Sequence, residues 1–442
     1  MEFDELNLNK PLLNALNDLG YVYPTTIQHK AFSVIMSGRD VVGIAQTGTG
    51  KTLAYLLPCL RQWEFAKTKV LKVLIIVPTR ELVMQVVEVA KELTTYMSVT
   101  TVGVYGGVNM KPQMAQVNEG VDILVATPGR LLDLVLNGTV NLKGIKKLVI
   151  DEVDEMLSLG FRYQLTTILN LLPERRQNLM FSATMTDEVE KLIAHYFNNP
   201  IKIEAAPTGT PLDGINQMGY QVPNFNTKVN LLLELIANDA EFKKVLVFAS
   251  TKKLADDLHE RITGKFPEQI GVIHSNKSQN NRFDTVKKFQ DGTYRVLIAT
   301  DIIARGLDLS EVSHVINFDI PDEPENYIHR IGRTGRADKE GIAITFITPK
   351  DADYQAAIEA LMNRKIRMVP LPNGLEISDT LTPDEITTIV TRNIQDKFQH
   401  KIPVSGAFHE KSEKNKKVNA HLSRGEKLKK KYGKPKTRGQ KK

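Results

Sequence analysis

The chain has a single cysteine, Cys59, among its 442 residues, so no internal disulfide can form and a reducing compartment is expected. Its one tryptophan is Trp63, and the aromatic residues, 7% of the chain, are scattered. That leaves no array on which successive bases of a single strand would stack for sequence readout. No apolar run approaches the ~18 residues that a membrane span requires. Residues 1–5 are acidic and lack the apolar core of a signal peptide. No membrane partner and a cytoplasmic location are therefore expected. No Cys and His residues have the spacing of zinc ligands. What is present is ordinary for a globular protein, 42% hydrophobic and 25% charged, and long enough for two domains plus an appendage.

The formal net charge of +7 is unevenly spread. Residues 401–442 hold 13 Lys and 2 Arg against 3 Glu, a net of +12 that leaves the first 400 residues at −5. This stretch is rich in Lys runs and poor in apolar residues, so a disordered polycationic tail is expected.

The densest chemistry lies at positions 45–52, Ala-Gln-Thr-Gly-Thr-Gly-Lys-Thr. An apolar run ending at Ile44 precedes it, and Leu53, Ala54 and Tyr55 open a helical pattern after it. A Gly-rich turn between strand and helix lets backbone N–H groups cradle phosphates, with Lys51 reaching the β/γ oxygens and Thr52 offering its hydroxyl to Mg²⁺. Ala45 stands where the strict P-loop pattern has Gly. A second apolar run, Leu148, Val149 and Ile150, ends in Asp151 and Glu152. Downstream of a phosphate loop, such a pair suits one carboxylate holding Mg²⁺ through its waters and a neighbour orienting and deprotonating a water.

At these residues the chain resembles the DEAD-box RNA helicases of superfamily 2, over roughly residues 3–367. Residues 20–28 look like the family's Q motif, with Phe3 as its isolated upstream aromatic. Pro78, Thr79, Arg80, Glu81 and Leu82, then Gly106 and Gly107, then Thr127, Pro128, Gly129 and Arg130 look like motifs of the first domain. Ser182, Ala183 and Thr184 resemble another. Thr251, Gln279, Arg282, Thr300, Asp301 and residues 304–308 recur in the second half, as does His-Arg-Ile-Gly-Arg-Thr-Gly-Arg at 329–336. Val153 departs from the family's Ala, with packing consequences only.

The resemblance implies ATP and Mg²⁺ as ligands. It places Phe3, Tyr23, Gln28, Gln46, Thr47, Gly48, Thr49, Gly50, Lys51, Thr52 and Asp308 at the nucleotide, Gln28 as adenine reader and Asp308 on the ribose. Phe3 has two readings, stacking on adenine or anchoring the N-terminal segment in an apolar groove. Thr52 and Asp151 are the metal residues. Glu152, Lys51, Arg333 and Arg336 are the catalytic set, the two arginines as fingers on transition-state charge. Pro78, Arg80, Gly107, Thr127, Arg130, Thr251, Gln279, Arg282 and Thr300 fall at RNA contacts. Asp154, Ser182, Thr184 and His329 couple the motifs.

Apolar β-branched runs alternate with amphipathic stretches in two successive series, as for parallel sheets covered by helices on both faces. The fold expected is α/β, two tandem RecA-like domains followed by a basic tail. The boundaries expected are a first domain over 1–204, a turn-rich linker over 205–217, a second domain over 218–367, an extension over 368–400 and the tail over 401–442. A short helix is expected from Thr382 to about residue 398. The second series has no phosphate loop, which suggests a composite site closed across a cleft. The function expected is ATP-driven RNA clamping and local duplex unwinding, most like bacterial members of the RhlE-like branch. Ribosomal precursor particles or RNA-decay proteins are the expected partners. A non-unwinding RNA clamp and a DNA-directed helicase are the alternatives.

Overall fold

The computed structural model describes residues 2–45, 48–65, 69–204, 214–238, 240–301, 312–335, 341–382, 385 and 386. Gln46, Thr47, Asp308, Arg336, the linker up to residue 213 and the tail at 401–442 lie outside these residues, as does nearly all of the helix expected over 382–398.

Each half folds around one parallel sheet. The first contains β1 (Val41–Ile44), β2 (Val73–Ile76), β3 (Thr101–Val104), β4 (Ile123–Ala126), β5 (Lys147–Asp151), β6 (Gln177–Ser182) and β7 (Ile201–Glu204). The second contains β8 (Ile215–Gln221), β9 (Val245–Phe248), β10 (Ile270–Ile273), β11 (Val296–Ala299), β12 (His314–Asn317), β13 (Gly341–Ile347) and β14 (Arg367–Val369). The strand orders are β3-β4-β2-β5-β6-β1-β7 and β10-β11-β9-β12-β13-β8-β14. Advancing each number of the first order by seven gives the second, so one topology is used twice.

The central strands are apolar on both faces because both faces are covered. Along β5, Val149 packs with Tyr55 and Phe181 on one side, while Leu148 and Ile150 join the cluster on the other. In the second sheet Val245 and Val247 face one cluster, and Leu246 and Phe248 face the opposite one. Cys59 is buried in the helix Lys51–Arg61, a packing residue.

Two boundaries differ from the sequence expectation. β8 begins at Ile215, inside the linker expected over 205–217, and β14 pairs with β8 through Val369, beyond the expected end at 367. Residues just after β14 also belong to this lobe. Leu371 and Leu375 pack against its core, and the side chains of Asn224, Asn226 and Asn230 donate to the carbonyls of Ser378, Thr380 and Glu376. The polar content of β8 (Asn216, Gln217, Gln221) and the exposure of the edge strand β14 explain why neither has the look of an apolar run.

Candidate nucleotide and RNA site

The loop after β1, Asp151 at the end of β5 and Ser182 at the end of β6 all lie at the carboxyl edge of the first sheet, the usual ligand edge of an open α/β sheet. Gly48 and Gly50 take φ of 85° and 86°, values that L side chains rarely adopt. A Cβ on Gly50 would lie 2.3 Å from the Gln28 side-chain nitrogen. That nitrogen donates to the Gly50 carbonyl at 3.1 Å, while the Gln28 carbonyl oxygen accepts from Thr25 N–H at 2.9 Å. Gln28 thus caps its own helix, Thr26–Met36, and braces the phosphate loop with the same amide.

A cavity of about 540 Å³ opens beside this loop. Tyr21, Tyr23, Gln28, Gly50, Lys51, Thr52, Asp151 and Glu152 line it, and Arg333 enters from the second lobe. Tyr23 is exposed at the mouth. Phe3 is not among the lining residues: it is 3% exposed within the first lobe's core, and its N–H donates to the Val22 carbonyl. Of its two sequence readings, the apolar anchor is the one its position matches. It holds the segment carrying Tyr21 and Tyr23 from behind.

Beneath the loop sit three buried polar atoms that have no hydrogen-bond partner among the described residues: Lys51 Nζ, Asp151 Oδ1 and the Tyr55 hydroxyl. Lys51 Nζ and Asp151 Oδ1 are 3.8 Å apart. Burial pushes the Asp151 carboxyl up to about 6, Lys51 opposing and Glu152 adding to the rise. Burial and the nearby Asp151 charge push the Tyr55 phenol well above 10. Buried polar groups ordinarily find partners. A cluster of one ammonium, one carboxylate and one hydroxyl left open under a phosphate cradle fits a phosphate chain carrying a hard, oxygen-seeking cation such as Mg²⁺. Glu152, 5% exposed, caps the next helix in the left-handed region at φ 54°. This is a costly conformation for a non-Gly residue that keeps its carboxylate at the cavity wall.

Asp154 joins the lobes. Its Oδ2 accepts from Thr184 N–H and Oγ1, each at 2.8 Å, and lies 3.7 Å from His329 Nε2 of the second lobe. Burial alone would raise this carboxyl, but the His329 and Thr184 contacts and the Lys51 charge outweigh it and hold it below the usual carboxylate range. Ser182 Oγ donates to the Thr184 carbonyl at 2.7 Å, fixing that turn. Arg333 is 2% exposed, with its Nε donating to the His329 carbonyl at 3.4 Å.

A second interlobe contact lies away from the cavity. Arg80 Nη1 donates to Gln279 Oε1 at 2.9 Å, Arg282 Nη1 meets Glu81 Oε1 at 3.0 Å, and Gln279 Nε2 donates to Glu81 at 3.3 Å. Arg282 also donates to Gln279. Gly107 (φ 76°) leaves room for Arg80, whose guanidinium would lie 2.4–2.8 Å from a Cβ there.

Four residues expected on the RNA differ from a free surface donor. Arg130 is buried, donating from Nη1 to Gln113 Oε1 at 2.6 Å and from Nη2 to the Val108 carbonyl at 2.8 Å, so it braces the loop after Gly107. Arg282 is engaged by Glu81. Pro78 is buried at the end of β2. Thr127 is a buried helix cap. Thr251 and Thr300 line a cavity of about 680 Å³ together with Ser158 of the other lobe. Sequence reasoning left Glu81, Tyr21 and Asp301 without a role. Asp301 receives Arg330 through two bonds, Nε–Oδ1 at 2.6 Å and Nη2–Oδ2 at 2.8 Å. The signal for all three was adjacency to residues already singled out.

Two α/β lobes of one topology, meeting over a single phosphate loop, make this a two-lobe nucleotide-driven enzyme. Family models for the DEAD/DEAH box helicases and for the helicase conserved C-terminal domain match residues 25–192 and 227–338. The chain is 37% identical to the DEAD-box ATP-dependent RNA helicase CshA of Geobacillus kaustophilus over 398 residues, 89% of this chain and 84% of that protein. It is 38% identical over 381 residues to RhpA of Helicobacter pylori, 86% of this chain and 76% of the relative. Among solved structures, S. cerevisiae Dbp5 bound to RNA and ADP BeF3 superposes with a TM-score of 0.77 at 29% identity, covering 88% of this chain and 98% of that one. Mss116p bound to ssRNA and AMP-PNP gives 0.79 at 28% identity, covering 90% and 85%. The chain belongs to the DEAD-box ATP-dependent RNA helicases, ATP-hydrolysing enzymes of two RecA-like domains. No helix among the described residues is long and apolar enough to cross a membrane.

Proposed function

We propose that ATP binds in the cavity between the phosphate loop and Arg333, and that RNA binds across the opposite rim of the same cleft. The observation that carries this is the buried pair of Lys51 Nζ and Asp151 Oδ1, 3.8 Å apart and without a hydrogen-bond partner among the described residues, beside Glu152 and facing an arginine from the other lobe. Lys51 holds the terminal phosphates, and Gln28 and Tyr23 meet the base. Thr52 and Asp151 are the residues that would hold Mg²⁺, which when bound neutralises charge on the phosphate oxygens. Glu152 orients the attacking water and accepts its proton. Arg333, with Arg336 after it in sequence, stabilises charge developing on the transferred phosphoryl group. Asp154, Thr184 and His329 make that arginine's arrival depend on lobe closure.

The RNA reading is supported by the nucleic acid bound to Dbp5 and Mss116p, and by the match of Arg80, Gly107, Thr251 and Thr300 to the family's RNA motifs. Contacts through phosphate and 2′-OH favour RNA over DNA with little sequence preference. Closure on RNA would bend one strand and open a short duplex. Ribosome assembly or RNA turnover is the cellular setting we favour, and crosslinking in cells followed by sequencing of the captured RNA tests it.

Glu152→Gln tests the chemistry. It keeps shape and nucleotide binding while removing the proton acceptor, so turnover should fall by ~10²-fold or more and an ATP-dependent RNA complex should persist. Substantial steady-state hydrolysis by this variant would sink the base assignment.

A further inference from the structure

We propose that Tyr55 is a positioning residue of the ATPase site, its hydroxyl donating to the Asp151 carboxylate and aiming it at the nucleotide-bound cation. The inference rests on the reading of Asp151 and Thr52 as the metal residues.

Tyr55 lies four residues after Lys51 and three after Thr52 in one helix, so the three side chains share a face. Helical side chains lean toward the N-terminus, which carries the phenol back under the phosphate loop. The ring is fully buried and packs on Phe181, centroids 5.4 Å apart at 52°. Phe181 is in turn fixed on both sides. It pairs in register with Asp151 of β5 and with Gly43 of β1, and a Cβ on Gly43 would lie 2.6 Å from its ring. The phenol therefore has one direction, and there its hydroxyl lies beside Thr52 and Asp151. Among the described residues it makes no hydrogen bond of full geometry, and the polar groups that face it are Thr52 and Asp151.

A buried hydroxyl in an otherwise apolar layer is costly unless it is used. A phenylalanine would fill the same ring space and carry no such cost. At neutral pH a phenol is a donor, and the carboxylate beside it needs its other oxygen free for the metal's water. Donation to one oxygen would fix the carboxylate's rotation and leave the second oxygen facing the cavity.

The test is Tyr55→Phe in the full chain, read by Mg²⁺ titration of the binding of a fluorescent, non-hydrolysable ATP analogue. Half-maximal tightening should need roughly tenfold more Mg²⁺, the scale of one hydrogen bond to a charged acceptor. Affinity for the analogue in EDTA and the thermal midpoint should stay at wild-type values. In an Asp151→Asn background the same change should add nothing to the Mg²⁺ requirement. An unchanged Mg²⁺ curve, an equal loss in EDTA, or an undiminished effect in that background would each overturn the proposal. If Asp151→Asn alone left the Mg²⁺ dependence unaltered, the metal reading itself would fail, a result distinguishable from failure of the Tyr55 role.

Discussion

Arg282 and Glu81 sit on different lobes, 3.0 Å apart, with side chains 6% and 5% exposed. Arg282→Ala leaves the Glu81 carboxylate buried beside the Gln279 amide, whose nitrogen donates to it at 3.3 Å. Removing one partner of a buried ion pair costs about 3–5 kcal/mol. Because Gln279 still donates, the lower end applies, about 3 kcal/mol or on the order of a hundredfold in an equilibrium. The lobes have an escape that a protein core lacks: they can separate and return Glu81 to water. The loss should therefore appear in closure and not in folding. Measured by fluorescence anisotropy, RNA affinity with a non-hydrolysable ATP analogue should fall by that factor. RNA affinity without nucleotide and the thermal midpoint should barely move. Glu81→Ala should do the same although it removes no cation, and the double variant should show a coupling of at least about 1 kcal/mol. Additive losses would refute the reasoning. So would an equal loss without nucleotide together with a salt slope flattened by about 0.7, which would put Arg282 on a phosphate.

Gly107→Ala should force Arg80 off its position and lower RNA-stimulated ATPase by roughly tenfold through lost contact and backbone strain of about 1–2 kcal/mol; wild-type stimulation would show that the clash is absorbed. Gln28→Ala should weaken ATP binding and erode discrimination against GTP, while costing about 1 kcal/mol of stability through the lost cap. Lower stability with unchanged nucleotide binding would reduce Gln28 to a helix cap. His314, stacked on Phe242 with centroids 4.1 Å apart, has its imidazole pushed down to about 4 by burial. The unfolded chain then binds the extra proton, so this stability is present above about pH 6.5 and lost as pH falls toward 4. Thermal midpoints from pH 7 to 5 should fall less steeply in His314→Phe than in the wild type, and parallel slopes would count against it.

The parts of the fold legible in the sequence were those where local and tertiary demands agree. β1, β2, β4, β5, β9 and β11 are buried on both faces, so each reads as an unbroken apolar run. β3, β7 and β14 sit at sheet edges and β8 carries Asn and Gln, so no run announced them. At the site, the phosphate loop and the Asp151-Glu152 pair were legible because their chemistry is local in sequence. Arg282 was legible as a functional position, but its contact was not. Glu81 lies some two hundred residues away, and only the packing of two lobes identifies it as the partner. Arg130 has the same history, since a guanidinium that braces a carbonyl and an amide looks, in sequence, like one that meets a phosphate.

The repeated topology bears on how the two ligands communicate. One copy holds the phosphate loop, and the other supplies Arg333 at the cavity, His329 against Asp154, and Gln279 and Arg282 at the second rim. Both sets of contacts require the same approach of the lobes. A ligand that favours approach at one rim therefore assembles the other, and by linkage the gain is mutual. If RNA tightens ATP by some factor, ATP must tighten RNA by that same factor. His329→Ala, which touches neither ligand's expected position directly, should shrink both factors equally. Measuring RNA affinity with and without the ATP analogue, and analogue affinity with and without RNA, closes a four-state cycle. Coupling that stayed at the wild-type value in His329→Ala would refute the reasoning, and would mean that the interlobe contacts at Asp154 and Glu81 do not belong to one closure step.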